Sequence, residues 1–412
     1  MSGITWLSKR NEAALLRPPL PLVAGVVLAV ALASFFRVPV LPDIGRDLSL
    51  STGQLSLITT AFAVGRLVID LPAGRVADVF PPNRVLAGAG LALCGGSILL
   101  GLSGSLAQAV AASALLGIAS SVTNTTAMAQ FAGSVPAERR GSAMAVFSMA
   151  MLTGQTFGPT LGGALADLES WRTAVTSAGL IGIGVTAVCL TRGRPAEFAH
   201  EAAMERSAPE DGEFPLTAGE RVVLAAVPFS VFFGMAALPQ TLVPLIGARE
   251  VGLSASLIGL VLGLGGLSRF VGAAITGTVS DRLSRKAALV PSLVLMATGA
   301  LLLTPETTFV TWTAAVVLFS LGSTGMSVAA TILGDRASAG RVARQLSGFR
   351  FTGDLGLLTG PLIVSGIYER VGREESVALV ALLLFSCAIA SAFVINEGPP
   401  THRSRDDAAL GM

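Results

Sequence analysis

Apolar runs of bilayer-spanning length recur from one end of this chain to the other. They lie near residues 20–41, 55–74, 85–103, 107–131, 141–165, 173–191, 222–245, 254–276, 287–304, 309–334, 345–367 and 376–395. Each is close to the ~20 residues a helix needs to cross a hydrocarbon core. Hydrocarbon offers no partner to a backbone N–H or C=O, so every run is predicted to be a helix that satisfies its own backbone. Composition agrees: 52% of the 412 residues are hydrophobic and 13% are charged, about half the charged share of a soluble chain. The expected class is an all-α integral membrane protein with 12 transmembrane helices.

Charge excludes some partners and sets orientation. A net charge of +2 builds no basic face for nucleic acid. Of the 28 Lys and Arg, Arg46, Arg172, Arg249, Arg370 and Arg373 fall in the loops of one face, and most of the others lie in the opposite loops and the tails. The positive-inside rule therefore places both termini in the cytoplasm, for a multi-pass protein of the cell's inner (plasma) membrane. Residues 1–19 carry Lys9, Arg10 and Arg17 with no small-residue cleavage site after the first run, so that span is expected to be retained. Cys94, Cys189 and Cys387 all sit in apolar runs and read as small buried hydrophobes, with no metal site or cofactor expected. His200 and His402 lie in loops, and no paired-histidine or phosphate-loop motif occurs, which argues against an enzyme and against ATP-driven transport.

The chain is internally duplicated. Gly74 and Asp78 recur as Gly277 and Asp281 at an offset of 203, and Arg66 recurs as Arg269 at the same offset. GQTFGP (154–159) recurs as GLLTGP (356–361), one residue short of it. The expected organisation is a six-helix unit over 1–191, a cytoplasmic linker over 192–221, and a second six-helix unit over 222–412 ending in a short cytoplasmic tail.

These segments also carry a family resemblance. GRVADVFPPNR (74–84) and GTVSDRLSRK (277–286) resemble the G-x-x-x-D-r-x-G-r-k motif that follows the second and eighth helices of major facilitator superfamily transporters. Pro81 and Ser284 stand where the motif has its central glycine, and Pro82 and Asn83 replace basic residues in the first copy. The resemblance spans nearly the whole chain. It implies two pseudo-symmetric bundles working as an alternating-access carrier, functioning as a monomer. It also implies a gating role for Gly74, Asp78, Arg84, Gly277, Asp281, Arg282 and Arg285, the aspartates pairing with loop arginines and a neighbouring helix start on the cytoplasmic side. GQTFGPTLGG (154–163) resembles the fifth-helix pattern of the proton-driven exporters, through Gly154, Gly158, Pro159, Gly162 and Gly163. LPDIGRDL (41–48), ERRGSAM (138–144) and the Trp171–Arg172 pair resemble further family marks. The fourth-helix arginine linked to proton coupling in such exporters has no counterpart in SALLGIASSVTNTT (113–126), so coupling is expected elsewhere.

Charges inside the spans point to function, because each costs about 2.5–3.5 kcal/mol near the bilayer centre. Arg66 and Asp70, like Arg350 and Asp354, are four residues apart and share a helix face. Asp354 first, and Asp70 second, are the expected proton-coupling residues: a carboxylate that loses an arginine partner between conformations takes up a proton in one of them. Arg66, Arg269 and Arg350 are expected to line the substrate cavity, with Asn124, Gln155 and Gln240 as polar contacts. Arginine outnumbers aspartate there, and tyrosine occurs once, at Tyr368, so an anionic or neutral amphiphile is favoured over a lipophilic cation. Arg37, near the outer end of the first span, is expected to snorkel into the interface. The expected activity is proton-coupled export of a small drug-like compound or metabolite; an uptake carrier or uniporter of the same fold remains the alternative.

Overall fold

The computed structural model describes residues 20–135, 139–192, 216–304, 308–336 and 342–396; along 70–79 and 342–347 it describes the backbone path alone. The regular elements of these residues are helices. The first half holds α1 (Leu20–Phe35), α2 (Leu41–Asp47), α3 (Thr52–Val79), α4 (Pro82–Gly101), α5 (Leu106–Gly133), α6 (Arg140–Leu168) and α7 (Trp171–Arg192). In the second half α8 (Ala218–Ala237) continues through a π-helical turn, Leu238–Leu242, into α9 (Val243–Arg249). There follow α10 (Ala255–Arg282), α11 (Arg285–Leu301), α12 (Phe309–Gly322), α13 (Gly325–Asp335), α14 (Val342–Arg370) and α15 (Arg373–Val394). We call the face on which α1 and α8 begin the linker face and its opposite the distal face.

Among the described residues, eight helices are long and apolar enough to cross a membrane. The other expected spans are helical but miss that mark for identifiable reasons. Helix α1 has only 16 residues and α11 only 17. Glycines, serines and threonines dilute α6, and Arg350 and Asp354 dilute α14. The linker expected over 192–221 is described only from Leu216 onward, where Thr217 already opens α8.

Short polar residues set where helices begin. Ser105, Ser254 and Ser284 accept from the backbone amides of Gln108, Leu257 and Ala287, and capping boxes open α8 at Thr217/Glu220 and α12 at Thr308/Thr311. Glu220 is 2% exposed and ties three chain ends together at the linker face. It accepts from Arg336 Nη1 at 2.6 Å and from the Asn396 amide at 3.0 Å, besides its own cap.

Two expectations about boundaries are corrected. The run expected as one span over 20–41 breaks after Phe35, and Leu41–Pro42 opens a separate helix, α2; proline is favoured in a first turn because its missing N–H has no partner to lose there. The motif aspartates expected in loops lie instead within helices, Asp78 in the last turn of α3 and Asp281 in the last turn of α10.

The two halves meet along antiparallel pairs, α6 with α10 and α3 with α14. Missing side chains set how closely helices approach. A Cβ on Gly154, Gly158 or Gly162 would come within 2.6 Å of α1 or the turn after it, at Leu28 O, Leu32 O and Phe36 Cα. Gly163 faces the other half, where a Cβ would come within 2.1 Å of Ala255 O. The fifth-helix glycines thus pack α6 against α1 on three positions and against α10 on the fourth. Gly158→Val should lower thermal stability by about 1–3 kcal/mol, since backbone stands in the way. Gly184→Ala, which meets nothing within 4 Å, should be neutral or stabilising, as helix propensity favours alanine. Thermal unfolding of the two variants side by side checks this.

Candidate transport pathway

The polar groups of the bundle interior gather where α3 and α6 face the second half. Phe62 and Arg66 sit one turn apart on α3. Arg66 is half-buried, and its Nε is buried without a hydrogen-bond partner. The Arg37 guanidinium lies 4.3 Å from the centroid of the Phe62 ring. Contrary to the expectation that it snorkels, Arg37 is 2% exposed, and its Nε too is buried without a partner. The helix ends at Phe35, and Arg37 lies in the turn that follows, against Phe62 of α3 and away from the interface. Its signal in the sequence was the apolar stretch VPVLPDI (38–44), which continues past Arg37 with a proline marking a new start. An aromatic face is a weak, charge-free partner for a cation, so Arg37 keeps most of its capacity for an anion.

Arg269 on α10 reaches across to α6, where its Nη1 donates to Gln155 Oε1 at 3.1 Å. That contact joins two expected cavity residues from different halves. Gln240 lies in the π-turn, buried; its backbone carbonyl accepts from Thr59 Oγ1 at 3.5 Å, and its side-chain Oε1 is buried without a partner. Asn124 is half-buried on α5 and Asp354 half-buried on α14. Arg350, one turn before Asp354, is exposed and places Nη2 3.4 Å from Met128 Sδ on α5. Asp70 and Gly74 lie on the helical backbone of α3, but their side chains, like that of Asp78, fall outside the described residues.

Among the described residues, several hydrogen bonds between the halves lie at the distal face. The Gly53 amide donates to Glu369 Oε1 at 2.7 Å, Arg249 Nη1 to Thr52 Oγ1 at 2.9 Å, and the Ser256 amide to Asp167 Oδ2 at 3.0 Å. Deeper in, Thr160 Oγ1 donates to Gly259 O at 3.1 Å. Beside them in α2, Asp43 pairs with Arg46. Burial pushes the Asp43 carboxyl up, Arg46 pulls it back, and nearby Asp167 pushes the same way as burial.

The other sequence marks lie away from these interior groups. Asp47, within LPDIGRDL, accepts from Trp171 Nε1 at 3.2 Å and from Arg172 Nη2 at 2.7 Å. Arg172 also donates Nη1 to the carbonyls of Gly101 and Ser103, so two distant motifs clamp one corner of the first half. At the linker face Arg285 donates to Asp281 at 2.9 Å and to Ser280 at 2.8 Å, with Asp281 well exposed. Gly277 and Arg282 share that last stretch of α10, and Arg84, in α4, lines a groove with Phe80, Ile118 and Val122. Among the described residues no group of three acidic, histidine or cysteine side chains could hold a metal ion.

Comparison with known proteins matches this architecture. Two uncharacterized MFS-type transporters of Mycobacterium tuberculosis, from two strains, are 35% identical over 170 residues. That match takes in 41% of this chain, and it spans about a quarter of the relatives' length (24%). A bacterial homolog of the human lysosomal transporter Spinster, in an inward-facing and unoccupied conformation, superimposes with a TM-score of 0.72 over 92% of this chain and 97% of that one, at 15% identity. Its inward-facing and occupied form gives 0.70 over 90% and 95%, at 17% identity. At such identities the likeness is one of fold. The Major Facilitator Superfamily model matches residues 23–248 and again 224–410. With both halves accounted for by one repeated family pattern, the chain belongs to the major facilitator superfamily, a family of multi-pass membrane transporters and not of enzymes.

Proposed function

We propose that this protein is a secondary carrier that works by alternating access and exports a small amphiphilic compound, anionic or neutral, in exchange for protons. The observation that carries the cargo class is the uncompensated positive charge of the interior. Arg37 is 2% exposed and has no acidic partner among the described residues. Arg269 is answered there by a neutral amide alone. Removing a guanidinium from water without an anion is unfavourable, and a carboxylate or other anionic group arriving from solution would relieve it with charge-assisted hydrogen bonds. A lipophilic cation would meet repulsion. Two independent features support coupling and direction. Asp354 is a half-buried carboxylate on a pathway helix, and the exporter-like glycines of α6 pack it against α1 as described above.

The cell membrane is the expected location, with both termini on the cytoplasmic side. The distal face, where the halves are fastened, would then be the outer one, and the structure would correspond to a carrier closed to the outside.

Purified protein in liposomes containing a pH-sensitive dye, under an imposed proton gradient, tests the reading with a panel of anionic, neutral and cationic amphiphiles. Anionic or neutral compounds should drive proton flux, and Asp354→Asn should reduce that flux at least about a hundredfold, the lower end of the scale for one essential proton-transfer group. Arg269→Gln should raise the apparent KM for anionic cargo about tenfold or more, the equivalent of one charged hydrogen bond, and leave neutral cargo nearly unchanged. Arg37→Gln should act in the same sense. Flux with cations alone would overturn the cargo class. Accumulation of cargo driven inward with the proton gradient would replace export by uptake.

A further inference from the structure

The distal contacts between the halves repeat themselves. Asp167 ends α6, and its carboxylate meets the first turn of α10 in the other half, accepting from both the Ser256 amide and the Ser256 hydroxyl. Against burial, which pushes the carboxyl up, Ser254 and Ala255 of that turn also favour its charged form and help hold it below its ordinary value. Glu369 ends α14, and its carboxylate meets the first turn of α3 in the first half, accepting from the Gly53 amide at 2.7 Å. Together with Gly53, Ser51 and Thr52 of that turn favour its charged form and hold the carboxyl below its ordinary value. The two acids are 202 residues apart and the two capping serines, Ser51 and Ser254, 203 apart, the same spacings as the internal repeat. The space is shaped for the acid as well: a Cβ on Gly53 would lie 2.7 Å from Glu369 Oε2.

We propose that Asp167 and Glu369 are a duplicated latch, each carboxylate capping the N-terminus of a helix in the opposite half and together holding the distal face shut. The chemistry follows from the antiparallel pairing. Where α6 ends, α10 begins, so an acid at one terminus faces the unpaired amides and positive partial charge of the other. Charged hydrogen bonds of this kind are among the stronger ones available at a half-wet interface. They exist only while the termini touch, so they bias the equilibrium toward the distal-closed state. At the linker face Asp281 is bonded to Arg285 of its own half. Each latch joins the two halves, and the spacing of the repeat relates one to the other.

This inference rests on alternating access, and its test needs neither cargo nor protons; its failure would leave the proposals on coupling and cargo class standing. Spin labels at Leu102→Cys and Val310→Cys, exposed at the distal ends of the first and second halves, would be attached after Cys94, Cys189 and Cys387 are replaced by alanine. Distance distributions are then measured by pulsed electron resonance on protein in nanodiscs. Asp167→Asn with Glu369→Gln should raise the ratio of long to short distances at least about fivefold, with smaller rises for each alone; one charged hydrogen bond corresponds to about tenfold or more when fully desolvated, and these sites are partly wet. An unchanged distribution in the folded, monodisperse double variant overturns the latch. Should that variant fail to fold, the pair Asp167→Cys and Ser256→Cys decides. Oxidised, it should abolish the long-distance component and reduction should restore it; a long component that survives oxidation shows that opening occurs elsewhere and overturns the proposal.

Discussion

Inside a bilayer an apolar side chain gains little by exchanging lipid for another helix, so this bundle depends on how closely helix backbones can approach. Most of the contacts with the least room are glycine to backbone. A Cβ on Gly117 would lie 2.1 Å from Phe62 O, one on Gly259 2.2 Å from Pro159 O, and one on Gly356 2.2 Å from Phe229 O. The first packs α5 on α3 within a half, the second packs α10 on α6 between halves, and the third packs α14 on α8. Everything polar in the interior is positioned by these crossings. Phe62, which supports Arg37, and Arg66 belong to the stretch of α3 that Gly117 admits.

Close packing without directional bonds suits a protein whose halves must part. Dispersion contacts between α6 and α10 can be exchanged for contacts with lipid or with a neighbouring helix at modest cost, whereas a deep network of ion pairs would weld the halves. Ion pairs among the described residues hold one half together. Glu220–Arg336 closes the linker end of the second half. Asp47–Arg172 clamps the distal corner of the first, and Arg373–Glu250 does so for the second. Among the described residues Arg37 and Arg269 have no acidic partner, and the carboxylates of Asp167 and Glu369 cross between the halves at the distal rim, where water can replace the bonds as they break.

Much of this was legible in the residues. Apolar runs of spanning length announced the helices, since a backbone in hydrocarbon has no alternative. The offset of 203 residues announced two related halves, and the spacing of Gly154, Gly158 and Gly162 announced a packing face. The pairing of Gln155 with Arg269 joins two residues that the pattern had only placed in the same cavity. Arg37 was misread because hydropathy reports how apolar a stretch is and not where it turns: the same apolar residues that looked like the end of one span form a turn and a short helix that bury the charge.

The sequence by itself determined class, helix content, repeat and family, because those follow from local and periodic properties: hydrophobicity over a window, caps, glycine spacing and motif identity. Tertiary structure decided which termini face each other and which charges keep a partner. Asp167 and Ser256 are separated by 89 residues, Glu369 and Gly53 by 316. No window contains both members of either pair, and an acid at a helix end reads as an ordinary interfacial charge until an antiparallel neighbour brings its free amides alongside.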